Sequence, residues 1–164
     1  MLGDRAPAPE DMPHLPFTQA VIKETLRLYP PLWMTGRRAV GRCKIGGQSV
    51  PAGAILLTSQ WAVQRLARFF PRPDEFQPDR WQEVEGLPRF AYFPFGGGPR
   101  VCIGQGFALL ELTLILAAVA RRFRLETVGP VELRPWATMT LHPPAGALMC
   151  LTARGDIRKA ASDP

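Results

Sequence analysis

Proline is the residue that most limits what this chain can become. Eighteen of its 164 residues are proline, about twice the average share, and six of them fall between Arg68 and Pro99. Each fixes its own φ and removes a backbone donor from any helix or strand it enters. A stretch so interrupted cannot be regular. A compact domain carries so long an irregular segment only when it is functional or held by other structure, so the ordered elements are expected on either side of it.

Residues 1–16 read as an extended lead-in, broken by Pro7, Pro9, Pro13 and Pro16. A helix is expected over 17–29, with Thr18 as its N-cap and Pro30-Pro31 as its stop. On it Phe17, Ala20, Val21, Glu24 and Leu28 share one stripe at helical spacing, which places an acid, Glu24, on an apolar face. Residues 30–59 read as a small β region, an extended piece and then a hairpin over 44–59 turning at Gly46-Gly47 and Pro51-Ala52-Gly53. A short helix over about 60–68 leads into the proline-rich meander, 68–94. A second strong helix is expected over 105–123, which has no Pro and no Gly after Gly106. Its apolar run is interrupted by Glu111 and is shorter than the ~20 residues a membrane span needs, so it is expected to be buried. Residues 131–152 alternate short extended pieces, and the polar residues after Ala153 are expected to fray.

Cys43, Cys102 and Cys150 are odd in number and widely spaced, unlike a disulfide framework or a zinc site. No basic segment followed by an apolar core opens the chain, so no signal peptide is expected, and the expected location is cytoplasmic, with membrane anchoring by a segment upstream of this one left open. The net charge of +6 admits nucleic acid, anionic membrane or an acidic protein as partner. The basic residues form two groups, Arg37, Arg38, Arg42 and Lys44, then Arg100, Arg121, Arg122 and Arg124. Neither is interleaved with aromatics as in a single-strand binder, and no nucleic-acid partner is expected.

The chemistry is concentrated in Phe95-Gly96-Gly97-Gly98-Pro99-Arg100-Val101-Cys102-Ile103-Gly104, directly before the second helix. A glycine-rich turn lets backbone approach a flat ligand and adopt positive φ. Cys102 lies at the positive end of the helix, where free N–H groups stabilise a thiolate, a good ligand for a soft metal. A lone cysteine is most often a small buried apolar residue. Its neighbours reverse that reading, because F-x-x-G-x-x-x-C-x-G should arise at fewer than about one in 10^5 positions of average composition. A phosphate cradle is the rival for a Gly-rich loop opening a helix, but no Gly-Lys-Ser/Thr follows and no G-x-G-x-x-G follows a strand.

The loop resembles the heme-binding loop of the cytochrome P450 family, matching at Phe95, Gly98, Cys102 and Gly104. The resemblance implies Cys102 as the ligand of the iron of heme b, Phe95 packed beside it, and the amides of Ile103 and Gly104 bonded to its sulfur. Glu24-Thr25-Leu26-Arg27 is similar to the family's E-x-x-R helix, and Arg80 of Pro78-Asp79-Arg80-Trp81 would complete its structural lock. By the same resemblance Arg100 and Arg37 would bind the heme carboxylates, with Arg38 a near competitor of Arg37. Trp33, Met34, Thr35, Thr138 and Met139 match segments that line a substrate pocket. Departures are Gln64-Arg65-Leu66-Ala67 where many members read His-Arg-Asp-Pro, and His142 where Arg is common.

The implied fold is mainly α with small β hairpins, an incomplete C-terminal, proximal portion of the cytochrome P450 fold. The implied function is a monooxygenase that inserts one atom of dioxygen into a small apolar substrate, with electrons from a ferredoxin or flavin reductase. The long distal helix and most substrate loops of that family have no counterpart here. The chain is therefore expected to be a fragment without catalytic residues of its own for oxygen chemistry and inactive alone, the alternative being a non-catalytic truncated product or one half of a split enzyme.

Overall fold

A computed structural model describes residues 5–83, 86–130, 134–143 and 148–155. Residues 156–164, where fraying was expected, lie outside them, as do 1–4 of the lead-in. The rest of the lead-in is not wholly extended, since Pro9–His14 forms a 3-10 helix. Its cause is Asp11, buried and bonded to the Arg5 guanidinium and to the Ala8 N–H at 2.8 Å. These two donors hold its carboxyl down to about 2.

Helix α1 (Pro16–Leu28) starts earlier than expected, with Pro16 in the first turn and Leu15 as N-cap without a side-chain bond. Proline tolerates this place because the N–H it lacks would be unpaired anyway, so Thr18 is not the cap. The anticipated stripe is also too narrow. Phe17 is 57% exposed, whereas Ile22, Leu26, Arg27 and Leu28 are buried beside Ala20 and Glu24. Structure meets α1 on more than one side, with α4 (Gln105–Arg122) on one flank and α3 (Arg80–Glu83) on another.

The β region of 30–59 resolves into two small sheets. Strand β1 (Thr35–Arg38) pairs antiparallel with β4 (Ile55–Thr58), Thr35 opposite Thr58 and Arg37 opposite Leu56. Strands β2 (Cys43–Ile45) and β3 (Gln48–Val50) form the hairpin turned by Gly46 and Gly47, whose φ values of 55° and 82° suit glycine. Helix α2 covers only Gln60–Val63, capped by the Ser59 hydroxyl, which accepts from the Ala62 N–H at 3.1 Å. The anticipated length to residue 68 gives way to turns.

Helix α4 is less covered than its composition suggested. Thr113 and Ala117 are buried, yet Phe107 is 70% and Ile115 54% exposed, because α1 and the 3-10 segment meet one side of it. Beyond it an unanticipated strand β5 (Phe123–Thr127) pairs with β8 (Met149–Ala153), and β6 (Trp136–Ala137) pairs with β7 (Leu141–His142). Residues 131–133 and 144–147 of the expected C-terminal β region lie outside the described residues. No helix among those described is long and apolar enough to cross a membrane.

Gln64, one of the departures noted above, is fully buried and ties three segments. Its Nε2 donates to the Leu26 and Arg27 carbonyls at 3.1 and 3.0 Å, and its Oε1 accepts from the Phe93 N–H at 2.9 Å. An amide is suited to this post because it carries donor and acceptor at once. Arg65 beside it lays its guanidinium 3.3 Å from the Trp61 ring centre and 3.4 Å from Asp74. Replacing Gln64 by Leu would leave buried backbone groups unpaired, at ~1–3 kcal/mol each. A loss of about 3 kcal/mol or more in urea unfolding is expected for Gln64→Leu, and a loss under about 0.5 kcal/mol would remove this role.

Candidate functional site

The anchor of the site is a buried carboxylate. Glu24 has no exposure and accepts five hydrogen bonds. Its Oε1 takes Arg27 Nη2 at 2.9 Å, the Gln77 N–H at 2.9 Å and Arg80 Nε at 3.0 Å, and its Oε2 takes Arg27 Nε and Trp81 Nε1, each at 2.9 Å. Burial alone would push this carboxyl up, but the bonds from Arg27, Gln77 and Trp81 with the Arg27 charge outweigh it and hold the group below its ordinary value. Arg27, equally buried, spends the rest of its fork on backbone carbonyls of Gln64, Pro73 and Glu75 at 3.0, 2.6 and 3.1 Å. Arg80 reaches the Pro71 and Arg72 carbonyls at 2.9 and 3.3 Å. The Glu24, Arg27 and Arg80 side chains named from the sequence are thus in one cluster, and the meander is wound around it.

Aromatic rings carry this rigidity onward. Trp81 lies 4.5 Å, centre to centre, from Tyr92, whose hydroxyl donates to the Lys23 carbonyl at 3.2 Å. Burial, with the Glu24 charge nearby, pushes the Tyr92 phenol up, so it stays a neutral donor. Next along the chain, the Phe93 N–H is held by Gln64 and the Phe93 carbonyl accepts from Gly96 at 2.9 Å. The glycine loop begins there.

In that loop Gly96 and Gly98 have φ of 75° and 71°, which a Cβ-bearing residue resists. The Cys102 N–H donates to the Phe95 carbonyl at 2.9 Å, closing the loop, and the Cys102 carbonyl accepts from the Gln105 N–H at 3.3 Å, opening α4. Gly104 is the N-cap of α4 with an ordinary φ of −84°; a Cβ there would stand 3.9 Å from the Cys102 sulfur. Cys102 is exposed, and the Ile103 side chain is fully so.

Cys102 opens into a cavity of about 650 Å3 that Phe95, Arg100 and Arg37 also line. Alternation along β1 separates the two arginine candidates: Arg37 shares a strand face with Thr35 on the cavity, and Arg38 is not among the lining residues. Gly96 and Gly97 of the glycine turn line it too, whereas sequence reasoning missed Leu32, Thr58, Gln60, Phe90 and Phe93, which complete the wall with Thr35. The spacing of Phe90, Phe93 and Phe95 was a signal for part of it. Phe90 was hidden because its backbone is left-handed, φ 66°, and its ring leans so close to Gly97 that a Cβ there would sit 2.3 Å from it.

The segments expected to line a substrate pocket also meet. Trp33 Nε1 donates to the Thr138 carbonyl at 2.9 Å, and the Leu141 N–H to the Pro31 carbonyl at 2.8 Å. Met139 is 87% exposed and, like Trp33, Met34 and Thr138, is not among the residues lining the Cys102 cavity.

The model of the family described as Cytochrome P450 matches residues 1–151. The chain belongs to the cytochrome P450 family. Cyclooctatin synthase of Streptomyces melanosporofaciens is 42% identical over 143 residues, 86% of this chain and 31% of that protein. Cyclooctat-9-en-7-ol 5-monooxygenase of the same organism is 42% identical over 135 residues, 81% and 29%. Human cytochrome P450 4V2 is 40% identical over 127 residues, 76% and 24%. The chain thus spans about a quarter to a third of the length of these curated relatives.

The cofactor of cytochromes P450 is heme, and the cavity suits it. One thiol, two guanidinium groups for two carboxylates, and the rings of Phe90, Phe93 and Phe95 with Leu32 face the same space. Its volume lies within the ~300–1,000 Å3 of small-molecule sites. Gly97 leaves room that Phe90 fills edge-on to Phe93, 6.2 Å between centres.

Two outcomes test the anchor. Arg27→Lys offers one ammonium with three donors in place of a five-donor fork, and breaking such a buried pair costs ~3–5 kcal/mol; denaturant unfolding should show a loss of that size. Because the Glu24 carboxyl is lowered in the folded state, the stability it contributes is fully present above the unfolded carboxylate value of ~4.3. It is lost as pH falls through the lower folded value. Urea midpoints followed downward from pH 5 should therefore fall more steeply for wild type than for Glu24→Gln, and parallel slopes would assign the acid sensitivity to other carboxyls.

Proposed function

We propose that this chain provides the thiolate side of the heme site of a cytochrome P450 monooxygenase, with Cys102 as iron ligand. The observation that carries the reading is the convergence of the Cys102 thiol, Arg37, Arg100 and three Phe rings on one cavity, in a chain of that family. The printed activity of one relative, a monooxygenase acting on cyclooctat-9-en-7-ol, supports the reaction class. A heme held here would supply the splitting of dioxygen, one atom entering an organic substrate, with electrons from a redox partner.

The work of the chain's own residues is more specific. Cys102 would hold the heme iron through its sulfur, and a thiolate ligand there would supply the electron density that favours O–O cleavage. Arg37 and Arg100 would hold the cofactor's two carboxylates by charge-assisted bonds. The Phe rings and Leu32 exclude water from its apolar edge. The Glu24-Arg27-Arg80 cluster holds the loop at fixed height. At the far end of α4 from Arg100, the Arg121, Arg122 and Arg124 group offers an acidic electron donor a basic surface.

This reading assigns the chain binding and thiolate ligation rather than turnover alone. Reconstituted with hemin, reduced and treated with carbon monoxide, it should give the red-shifted Soret band of a thiolate-ligated ferrous carbonyl, without product from added substrates. Cys102→Ser should abolish that red shift while retaining part of the hemin affinity. Identical spectra for wild type and Cys102→Ser would overturn Cys102 as ligand.

A further inference from the structure

The most unusual polar atom on the wall of the cavity belongs to Gln60. Its side chain has no exposure, and its Oε1 has no hydrogen-bond partner among the described residues. Its Nε2 donates to the Thr35 hydroxyl at 2.8 Å. An unpaired buried carbonyl is costly, at ~1–3 kcal/mol, so this glutamine is kept for what its nitrogen does. Turning the amide over would leave both N–H donors of an NH2 group unpaired in place of one carbonyl, and buried orphaned N–H groups are rarer than under-satisfied carbonyls.

The consequence falls on Thr35. A hydroxyl has one donor and two acceptor positions, and among the described residues that of Thr35 serves only as an acceptor. Its proton is left for a group inside the cavity that Thr35 lines. The segment cannot turn away to satisfy it elsewhere. The Trp33 carbonyl is pinned by the Ser59 hydroxyl at 3.1 Å and the Trp61 N–H at 3.2 Å, and β1 is paired to β4 from Thr35 onward.

Thr35 and Arg37 stand two residues apart on one face of β1, about 6–7 Å along the strand. An arginine side chain spans that interval easily, so one carboxylate can meet both groups. We infer that Thr35 is a second donor to the heme carboxylate paired with Arg37, and that Gln60 is a positioning residue that turns the Thr35 hydroxyl toward it. This rests on the heme reading above and adds to it a neutral donor beside the two arginines. It also accounts for the one side-chain amide among the residues that line the cavity.

The test uses the whole chain with two probes, hemin and its dimethyl ester, which has the same ring and iron but no ionised carboxylate. Affinities are read from Soret titrations of wild type, Thr35→Val and Thr35→Ser, with thermal midpoints of the unloaded proteins as a control on folding. Thr35→Val should bind hemin about tenfold more weakly, the size of a hydrogen bond to a charged acceptor, and bind the ester within about twofold of wild type. Thr35→Ser, which keeps the hydroxyl, should restore the preference for hemin. Equal losses on both probes would make Thr35 a packing residue and overturn the inference, as would no loss on either. Wild type binding neither probe would instead overturn the heme reading itself, and this inference with it.

Discussion

Five hydrogen bonds converge on the Glu24 carboxylate, and the remainder of the structure is arranged so that they can. A lone carboxylate inside protein is prohibitively costly. Here it is matched by two guanidinium groups, an indole N–H and a backbone N–H, and the surplus positive charge is spread over backbone carbonyls of Gln64, Pro71, Arg72, Pro73 and Glu75. The prolines suit this arrangement because they lack the N–H that would draw the segment into a ladder. Their carbonyls remain available to arginine. The irregularity that makes 68–94 an unpromising stretch of sequence is what lets it wrap a buried charge.

That cluster and the cysteine loop are linked by a short chain of contacts. Trp81 bonds to Glu24 and stacks near Tyr92, Tyr92 bonds back to α1, and Gln64 joins the end of α1 to the Phe93 N–H. From Phe93 the backbone turns through Gly96 into the loop. The position of Cys102 on the cavity wall is thereby set by a chain of polar contacts rather than by general packing alone. On the other wall, β1 and α2 do the corresponding work for Arg37 and Thr35.

Much of this was legible because it lives in short motifs. The loop around Cys102, the acid and base three apart at Glu24 and Arg27, and the helix that begins at Gln105 each follow from local spacing. What escaped depends on distance along the chain. Strand β5 alternates over only Phe123 to Glu126, too short a run to stand out directly after a long helix, and it is paired because β8 returns beside it. The 3-10 turn at Pro9–His14 exists through Arg5 and Asp11, which no periodicity exposes. The burial of α1 on several sides reflects its neighbours rather than its own stripe. Gln60 and Thr58 joined the cavity only through the pairing of β1 with β4, and Phe90 through a backbone conformation that bulky side chains rarely adopt.

The Glu24 cluster has a further consequence for how the chain comes together. The Glu24–Arg27 pair is local to α1, but other bonds of the cluster span 48 residues between Arg27 and Glu75 and 57 between Glu24 and Trp81, so a long stretch of chain must close before these form. A half-closed meander would strand a charge among apolar neighbours, which leaves no comfortable stopping point between open and shut. Folding here resembles the closing of a latch: the proline tether either carries all its carbonyls to the two arginines together or remains loose, and the cysteine loop inherits that abruptness.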